Sequence, residues 1–170
     1  TTLPLLMLAA FISLLFPHLA LAHGDLDPDN LFLLGEQYFY GQGVEQDKRV
    51  AARLYRRAAR AGNAEAMFSL GWMYDMGDGA AQDYLLAARW YEQAAAQGHA
   101  AAMNNLGELH YHGKGVAQDF AEALRQYQGA AALGDRDAAF SLGYMLFKGE
   151  GVEENPEQAA KWLRIAAEQD

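Results

Sequence analysis

The residues best suited by type to do chemistry are 22 carboxylates and five histidines, and there is no cysteine. Without a thiol the chain has no disulfide framework, no cysteine nucleophile, no thiolate-bound zinc or iron–sulfur cluster and no cysteine-borne lipid anchor. The run Asp25-x-Asp27-x-Asp29-Asn30, with Glu36 at the twelfth place, imitates a calcium loop whose oxygens would wrap a hard cation. Its sixth place is Asn30 rather than the glycine such a loop needs, and a helix cap accounts better for the acids. In His110-Tyr111-His112 the imidazoles stand at i and i+2, positions that diverge on a helix, so they do not share a metal. His23 would offer an amine and an imidazole to copper if cleavage followed Ala22, but no second histidine stands at a spacing that completes a site. The Gly-x-Gly pairs follow helical segments and lack a Lys-Ser/Thr partner, so they are not phosphate loops. No Ser/His/Asp set is present, and no carboxylate pair stands outside the repeated positions described below. The sequence therefore predicts no catalytic residue, no metal and no cofactor.

What remains is a set of aromatic and acidic residues whose meaning depends on the elements that carry them. The chain has 170 residues, 52% hydrophobic, with a formal charge of −9. Every charged residue lies after position 24. Thr1–Gly24 is an apolar leader: a Leu/Ala/Phe-rich stretch from Leu5 to Phe16, a break at Pro17-His18, and a small-x-small site at Ala20-Leu21-Ala22. These are the parts of an exported protein's signal peptide, predicted over 1–22, although an initiator Met and a basic start are missing. The competing reading is an uncleaved anchor, since roughly 20 apolar residues can span a bilayer. Residues 23–28 form a lead-in, and 29–170 form one domain.

That domain is periodic. Leu-Gly pairs stand at 34–35, 70–71, 106–107 and 142–143, a spacing of 36 residues without insertion. Each is followed by a Gly-x-Gly pair (41/43, 77/79, 113/115, 149/151), then by Asp47, Asp83, Asp119 and Asn155. Tyr55, Tyr91, Tyr127 and Leu163 come next, then alanine pairs starting at 58, 94, 130 and 166, and Gly62, Gly98 and Gly134 close the first three units. Each unit reads as two antiparallel helices. In the second, helix A spans about Ala64 to Met76, with Met67, Leu70, Gly71 and Tyr74 at helical spacing. Gly77 ends it, because glycine tolerates the positive φ of a helix C-terminus. Asp83 caps helix B, Asp119-x-x-Glu122 forms a capping box, and Pro156 takes the first helical position after Asn155. Helix B buries Ala87, Trp90, Tyr91 and Ala94. A lone hairpin cannot bury both its faces, so the units must stack into a solenoid.

The pattern Leu-Gly-x-x-Tyr-x-x-Gly-x-Gly-Val-x-x-Asp, followed by Ala, Tyr, Ala-Ala and Gly, resembles the Sel1-like repeat, a relative of the tetratricopeptide repeat. Four units cover 29–64, 65–100, 101–136 and 137–170. Departures are mild: Ala80 replaces Val, His110 and Leu146 replace Tyr, and Gln126 takes the place of Leu54, Trp90 and Trp162. The resemblance implies an all-α solenoid wound as a right-handed superhelix. It also implies an adaptor that holds proteins or peptides, often in the bacterial periplasm or outside the cell, as regulator, assembly factor or host-contact protein. Some cysteine-rich relatives are linked to β-lactam binding, but this chain lacks the paired cysteines of their repeats.

With Leu70 as origin at about 100° per residue, Glu65, Phe68, Trp72 and Asp75 fall on the side of helix A opposite the core, between about 140° and 220°. In a superhelix of the resembled type, that side faces the concave groove. The same positions give Asp29, Phe32, Glu36 and Phe39 in the first unit, Ala101, Asn104, Glu108 and Tyr111 in the third, and Asp137, Phe140, Tyr144 and Phe147 in the fourth. Eight aromatics and six carboxylates thus lie off the faces that close their own hairpins. They either pack between successive A helices or anchor a partner whose basic or amine-bearing segment suits the acids. The related repeats imply that Asn104 and Asn105 hydrogen-bond the backbone of an extended ligand. The candidate partner-binding residues are Phe32, Glu36, Phe39, Phe68, Trp72, Asp75, Asn104, Asn105, Glu108, Tyr111, Phe140, Tyr144 and Phe147.

Lys48, Arg49, Arg53, Arg56, Arg57 and Arg60 gather six of the 13 basic residues on the first helix B. They form a solvated outer face or a docking patch for an acidic protein or anionic headgroups. Membrane contact is expected only there or through an uncleaved leader, and nucleic acid is not an expected partner. The open face of Trp162, Ile165 and Ala166 predicts a cover, a second copy or further chain. The function expected is a noncatalytic, exported protein- or peptide-binding scaffold of the periplasm or outside. A hydrolase of β-lactamase-like or other type and a purely structural envelope component are the alternatives.

Overall fold

The computed structural model describes residues 27–168. The expected signal peptide, most of the lead-in, His23 and Asp25 lie outside the described residues. Within them the chain forms eight α-helices and no strand: α1 (Pro28–Tyr40), α2 (Lys48–Arg60), α3 (Ala64–Met76), α4 (Tyr84–Ala95), α5 (Ala100–His112), α6 (Phe120–Ala132), α7 (Arg136–Lys148) and α8 (Pro156–Ala167). The odd-numbered helices are the A helices and the even-numbered ones the B helices. Each helix packs chiefly on its neighbours in the chain, so the fold is a one-dimensional stack of hairpins.

Local chemistry sets the helix ends. The side chains of Asp47, Asp83, Asp119 and Asn155 each accept from a free N–H in the first turn of helix B. Their own N–H groups are also taken, donating to the carbonyls of Tyr38, Tyr74, His110 and Leu146 at 2.8–3.0 Å. That second bond changes the expected capping box. With the Asp119 N–H already satisfied, Glu122 does not reach back; it pairs with Arg125 and accepts from Gln126 Nε2 at 2.7 Å. At the A-helix starts, Asn63, His99 and Asp135 accept from Ala66, Ala102 and Ala138. The histidine in this role uses Nδ1 as acceptor, so the proton sits on Nε2, 3.2 Å from Glu65.

Close approach requires two glycines in each of the second, third and fourth units and one in the first. A Cβ at Gly71 would lie 2.7 Å from the Tyr91 ring, and Gly107 stands in the same relation to Tyr127 at 2.7 Å. The Leu-Gly pair therefore marks where the helix B tyrosine packs flat against helix A. The second turn glycine serves the junction between units. At Gly79, φ is +78° and a Cβ would meet Lys48 Cβ at 2.8 Å, whereas at Gly43, with no described unit before it, nothing lies within 4 Å.

The core is built of small and aromatic residues. Tyr55, Tyr91 and Tyr127 are almost wholly buried beside alanine pairs of the B helices, each aromatic contributing about 1.5–3 kcal/mol by burial. The buried cluster divides at α5 and α6. There the polar Gln126 stands where Leu54, Trp90 and Trp162 sit, and with Gly129 it borders an open cleft of 360 Å³. At the far end Ala166 is buried at 5% exposure, which corrects its place on the open face, while Ile165 is 39% exposed.

Candidate functional site

The A helices carry two clefts, one between α1 and α3 and one between α5 and α7. The first, of 240 Å³, is lined by Glu36, Phe39, Tyr40, Tyr55, Phe68, Ser69 and Trp72. The second, of 270 Å³, is lined by Glu108, Tyr111, His112, Tyr127, Phe140, Ser141, Tyr144 and Met145. Apart from Met145, the second set is the first displaced by two repeats. Both clefts lie below the roughly 300–1,000 Å³ of small-molecule pockets, a scale that suits a single side chain.

Each cleft has a carboxylate held by a core tyrosine. The Tyr55 phenol donates to Glu36 Oε1, and the Tyr127 phenol donates to Glu108 Oε1 at 2.7 Å. Burial, followed by the neighbouring carboxylate, holds both phenols far above their usual pKa, so they act as neutral donors. Glu36 Oε2 has no protein donor among the described residues. Glu108 is more engaged, with His112 Nε2 at 3.2 Å from Oε2 and Ser141 Oγ at 3.5 Å from Oε1.

Aromatic rings form the walls. Phe39 meets Trp72 edge-on at 6.0 Å and carries the Lys48 ammonium over its ring at 4.9 Å, while Lys48 is neutralised by Asp78 at 2.6 Å. At the equivalent place in the second cleft, Tyr111 donates to Glu150 Oε2 at 2.6 Å, and that bond chiefly raises its pKa to about 12. Lys148 lies 5.9 Å from the Tyr144 ring.

At the junction between these clefts, α3 to α5, an internal hydrogen-bonded network stands in the same register. Trp72 occupies the register of Glu36 and Glu108, and the acid moves one turn on, to Asp75. Tyr91 donates to Asp75 Oδ2 at 3.2 Å and accepts from Asn105 Nδ2 at 3.1 Å. Burial raises the pKa of Asp75, and the Tyr91 bond partly offsets this. Asn105 is thus bound to the protein's own tyrosine, and Asn104 Oδ1 is buried without a protein partner.

The structure separates the sequence-predicted residues by environment. Phe32, Phe39, Phe68 and Trp72 are half-buried against the core, with Phe68 stacked on His99 at 4.6 Å and Phe32 tilted on Tyr55 at 5.7 Å. Tyr111 packs against the second cluster. Phe140, Tyr144 and Phe147 are exposed at 58, 41 and 55%. An inner A helix packs on its own helix B and on the helix B before it, and the following unit adds cover, as His99 does over Phe68, whereas α7 has no described unit after it. Sequence reasoning missed the cleft-facing role of Tyr55 and Tyr127, along with Tyr40, Ser69, His112 and Ser141. A usable signal existed: the unit that lacks the tyrosine, with Leu163, also lacks the acid and has Tyr144 there.

Two of the imitation calcium loop's described acids have other uses, since Asp29 accepts from Asn63 and Glu36 from Tyr55. Asp27 stands at the N-cap of α1 but its side chain makes no cap hydrogen bond, which corrects the expected cap there. Among the described residues no three His, Asp or Glu side chains converge on a metal position, and no helix is long and apolar enough to cross a membrane. On α2, Arg49, Arg53 and Arg60 are exposed, Arg56 donates to the Tyr74 hydroxyl at 2.6 Å, and Lys48 turns to Asp78.

The sequence model of the Sel1 repeat matches residues 31–63, 64–99, 100–135 and 136–170. The chain belongs to the Sel1 repeat family. A protective antigen present in uropathogenic Escherichia coli strains, displaying an SLR fold, is 36% identical over 84% of this chain, with a TM-score of 0.82. A Sel1 repeat protein from Oxalobacter formigenes is also 36% identical over 84% of the chain, with a TM-score of 0.79. The chain spans 31% and 59% of those two chains. Cysteine rich protein B of Helicobacter pylori is 24% identical, covering 75% of this chain and 92% of its own, with a TM-score of 0.57, a likeness of fold alone. No curated protein sequence is a significant match. Sel1 repeat proteins generally mediate protein–protein interaction, and this chain has their α-solenoid.

Proposed function

We propose that the chain is a noncatalytic scaffold, exported through its leader to the periplasm or beyond, that holds a protein or peptide segment along its row of A helices. The observation that carries this reading is the pair of equivalent aromatic clefts on that row. Groups with acid–base chemistry are already committed to the repeat: Glu36, Asp75 and Glu108 each accept from a core tyrosine. Aromatic anchors in desolvated pockets supply most binding energy at protein interfaces, and the clefts offer such pockets beside exposed Phe140 and Tyr144. The noncatalytic part of the proposal is checked by a nitrocefin and general hydrolase assay, where turnover would overturn it. The binding part is checked by Trp72→Ala and Phe140→Ala. The expected result is loss of the captured partner with helical circular dichroism retained; unchanged capture by both folded variants would sink the groove.

A further inference from the structure

We infer that the two clefts are a matched pair of cation subsites, and that the segment this scaffold holds is an extended peptide with two basic side chains. The inference rests on the groove reading above and adds the chemistry and spacing of the ligand. Each cleft combines a carboxylate at its base with aromatic faces at its walls, and those are the two surfaces that attract an ammonium or guanidinium group. The ring at the first cleft already accepts one: Lys48 sits over Phe39. Tyr55 and Tyr127 fix the carboxylates in place without neutralising them, because a phenol donates a hydrogen bond and carries no positive charge. At Glu36 this leaves Oε2 without a protein donor among the described residues.

The spacing comes from the α3/α5 junction. Between the clefts Trp72 replaces the acid, Asn104 and Asn105 replace Phe68/Phe140 and Ser69/Ser141, and Asp75, Tyr91 and Asn105 are joined in an internal hydrogen-bonded chain. A ligand therefore meets a cation subsite, passes one occupied junction, and meets a second. Four packed helix layers at roughly 8–10 Å each place the subsites at most about 40 Å apart, a distance about 12 extended residues cover. The subsites are unequal. Each has a lysine of the chain near one ring, Lys48 at Phe39 and Lys148 at Tyr144. But Glu108 shares Oε2 with His112 while Glu36 Oε2 has no protein donor among the described residues, so the Glu36 carboxylate is the freer to hold a cation.

The test uses the full chain and synthetic peptides bearing two lysines separated by Gly/Ser linkers of increasing length, up to about 12 residues. Single-lysine and doubly acetylated peptides are the controls, and binding is read by calorimetry at low salt. One range of linker lengths is expected to bind at least about tenfold tighter than the single-lysine peptide, as a tethered second contact does, and acetylation removes the gain. Glu36→Gln and Glu108→Gln, which keep the acceptor for tyrosine, each return the peptide to single-lysine affinity, while Glu92→Gln on α4 changes nothing. No gain at any linker length, or a gain that survives both glutamine variants, overturns the inference. If a photo-crosslinker at position 72 still captures the partner in that case, the groove reading stands and only the two-cation chemistry falls; if that crosslink is also missing, both fall.

Discussion

The clefts at α1/α3 and α5/α7 share a register with the junction at α3/α5, where an internal hydrogen-bonded network takes the place of the cleft carboxylate. The backbone is not what differs, because the same caps, turns and Leu-Gly contacts recur at every unit. The difference is a few side chains: Trp72 in place of a glutamate, and Asn104-Asn105 in place of Phe-Ser. A repeat of 36 residues thereby carries a cleft pattern of twice that length. The two open clefts differ in turn. Each has a lysine near one ring, but the first is walled by Phe39 and Trp72 and has a carboxylate oxygen unengaged, whereas the second substitutes Tyr111, which donates to Glu150, and His112, which stands beside Glu108.

That comparison can be broken first at the junction glycines. Gly79→Ala adds a left-handed backbone cost of about 1–2 kcal/mol to overpacking of about 1–3 kcal/mol, so a loss of about 3 kcal/mol is expected in urea unfolding. Gly43→Ala, with open space around it, is expected to lose about 1 kcal/mol. Equal losses would mean that the units do not share one junction geometry. Next comes the α3/α5 junction, where Tyr91→Phe strands both Asp75 and Asn105, for an expected loss of about 2–3 kcal/mol. Tyr55→Phe and Tyr127→Phe each strand one acceptor in an open cleft, for about 1.5 kcal/mol. If the order reversed, the middle junction would not be the one held by an internal network.

The same tyrosines give a pH dependence. Their folded pKa values lie above the unfolded value of about 10, so their contribution is fully present below about pH 10 and is lost progressively above it, as pH rises toward and through the folded values. Each of the three removes at most about 1.4 kcal/mol per pH unit there, and the fourth unit, with Leu163, adds nothing. Urea titrations between pH 9 and 11 check the slope, which each Tyr→Phe variant should reduce. The smallest effect concerns Asp75. Its raised pKa means burial disfavours its charge, so the stability held below its unfolded pKa declines as pH rises through the folded one. At pH 7, Asp75→Asn keeps the acceptor for Tyr91 and is expected to shift stability by no more than about 0.5 kcal/mol, in the stabilising direction.

Much of the fold was legible in the sequence because it is written in repeated residues. The helix limits of Ala64–Met76, the Asp83 cap, the Pro156 start and the Gly77 stop all follow from single-residue chemistry acting locally. The capping box failed for a nonlocal reason: the Asp119 N–H was already bonded to His110 across the turn. The site was half legible. Helical angles place Phe39, Trp72, Glu36 and Glu108 on one side, but cannot say that Phe39 and Trp72 lean on each other while Phe140 stands free. That depends on contacts between units, such as the His99 ring over Phe68, the equivalent of Phe140. Nor do angles within one helix reveal that a tyrosine counted as core, such as Tyr127, sends its hydroxyl through to the cleft. The pairing was visible only by comparing units with one another.

The central claim is that the A-helix row, not the outer B-helix face, receives the partner. Photo-crosslinking residues placed singly at Trp72 and Tyr144, and for contrast at Arg53 and Arg89 on the B helices, test it directly in the native host cell, with the crosslinked segments read by mass spectrometry. The account predicts one common partner captured at both A-helix positions, through segments of that partner lying close together in its sequence and rich in lysine or arginine, with no capture at the B-helix positions. Capture confined to positions 53 and 89 would contradict it.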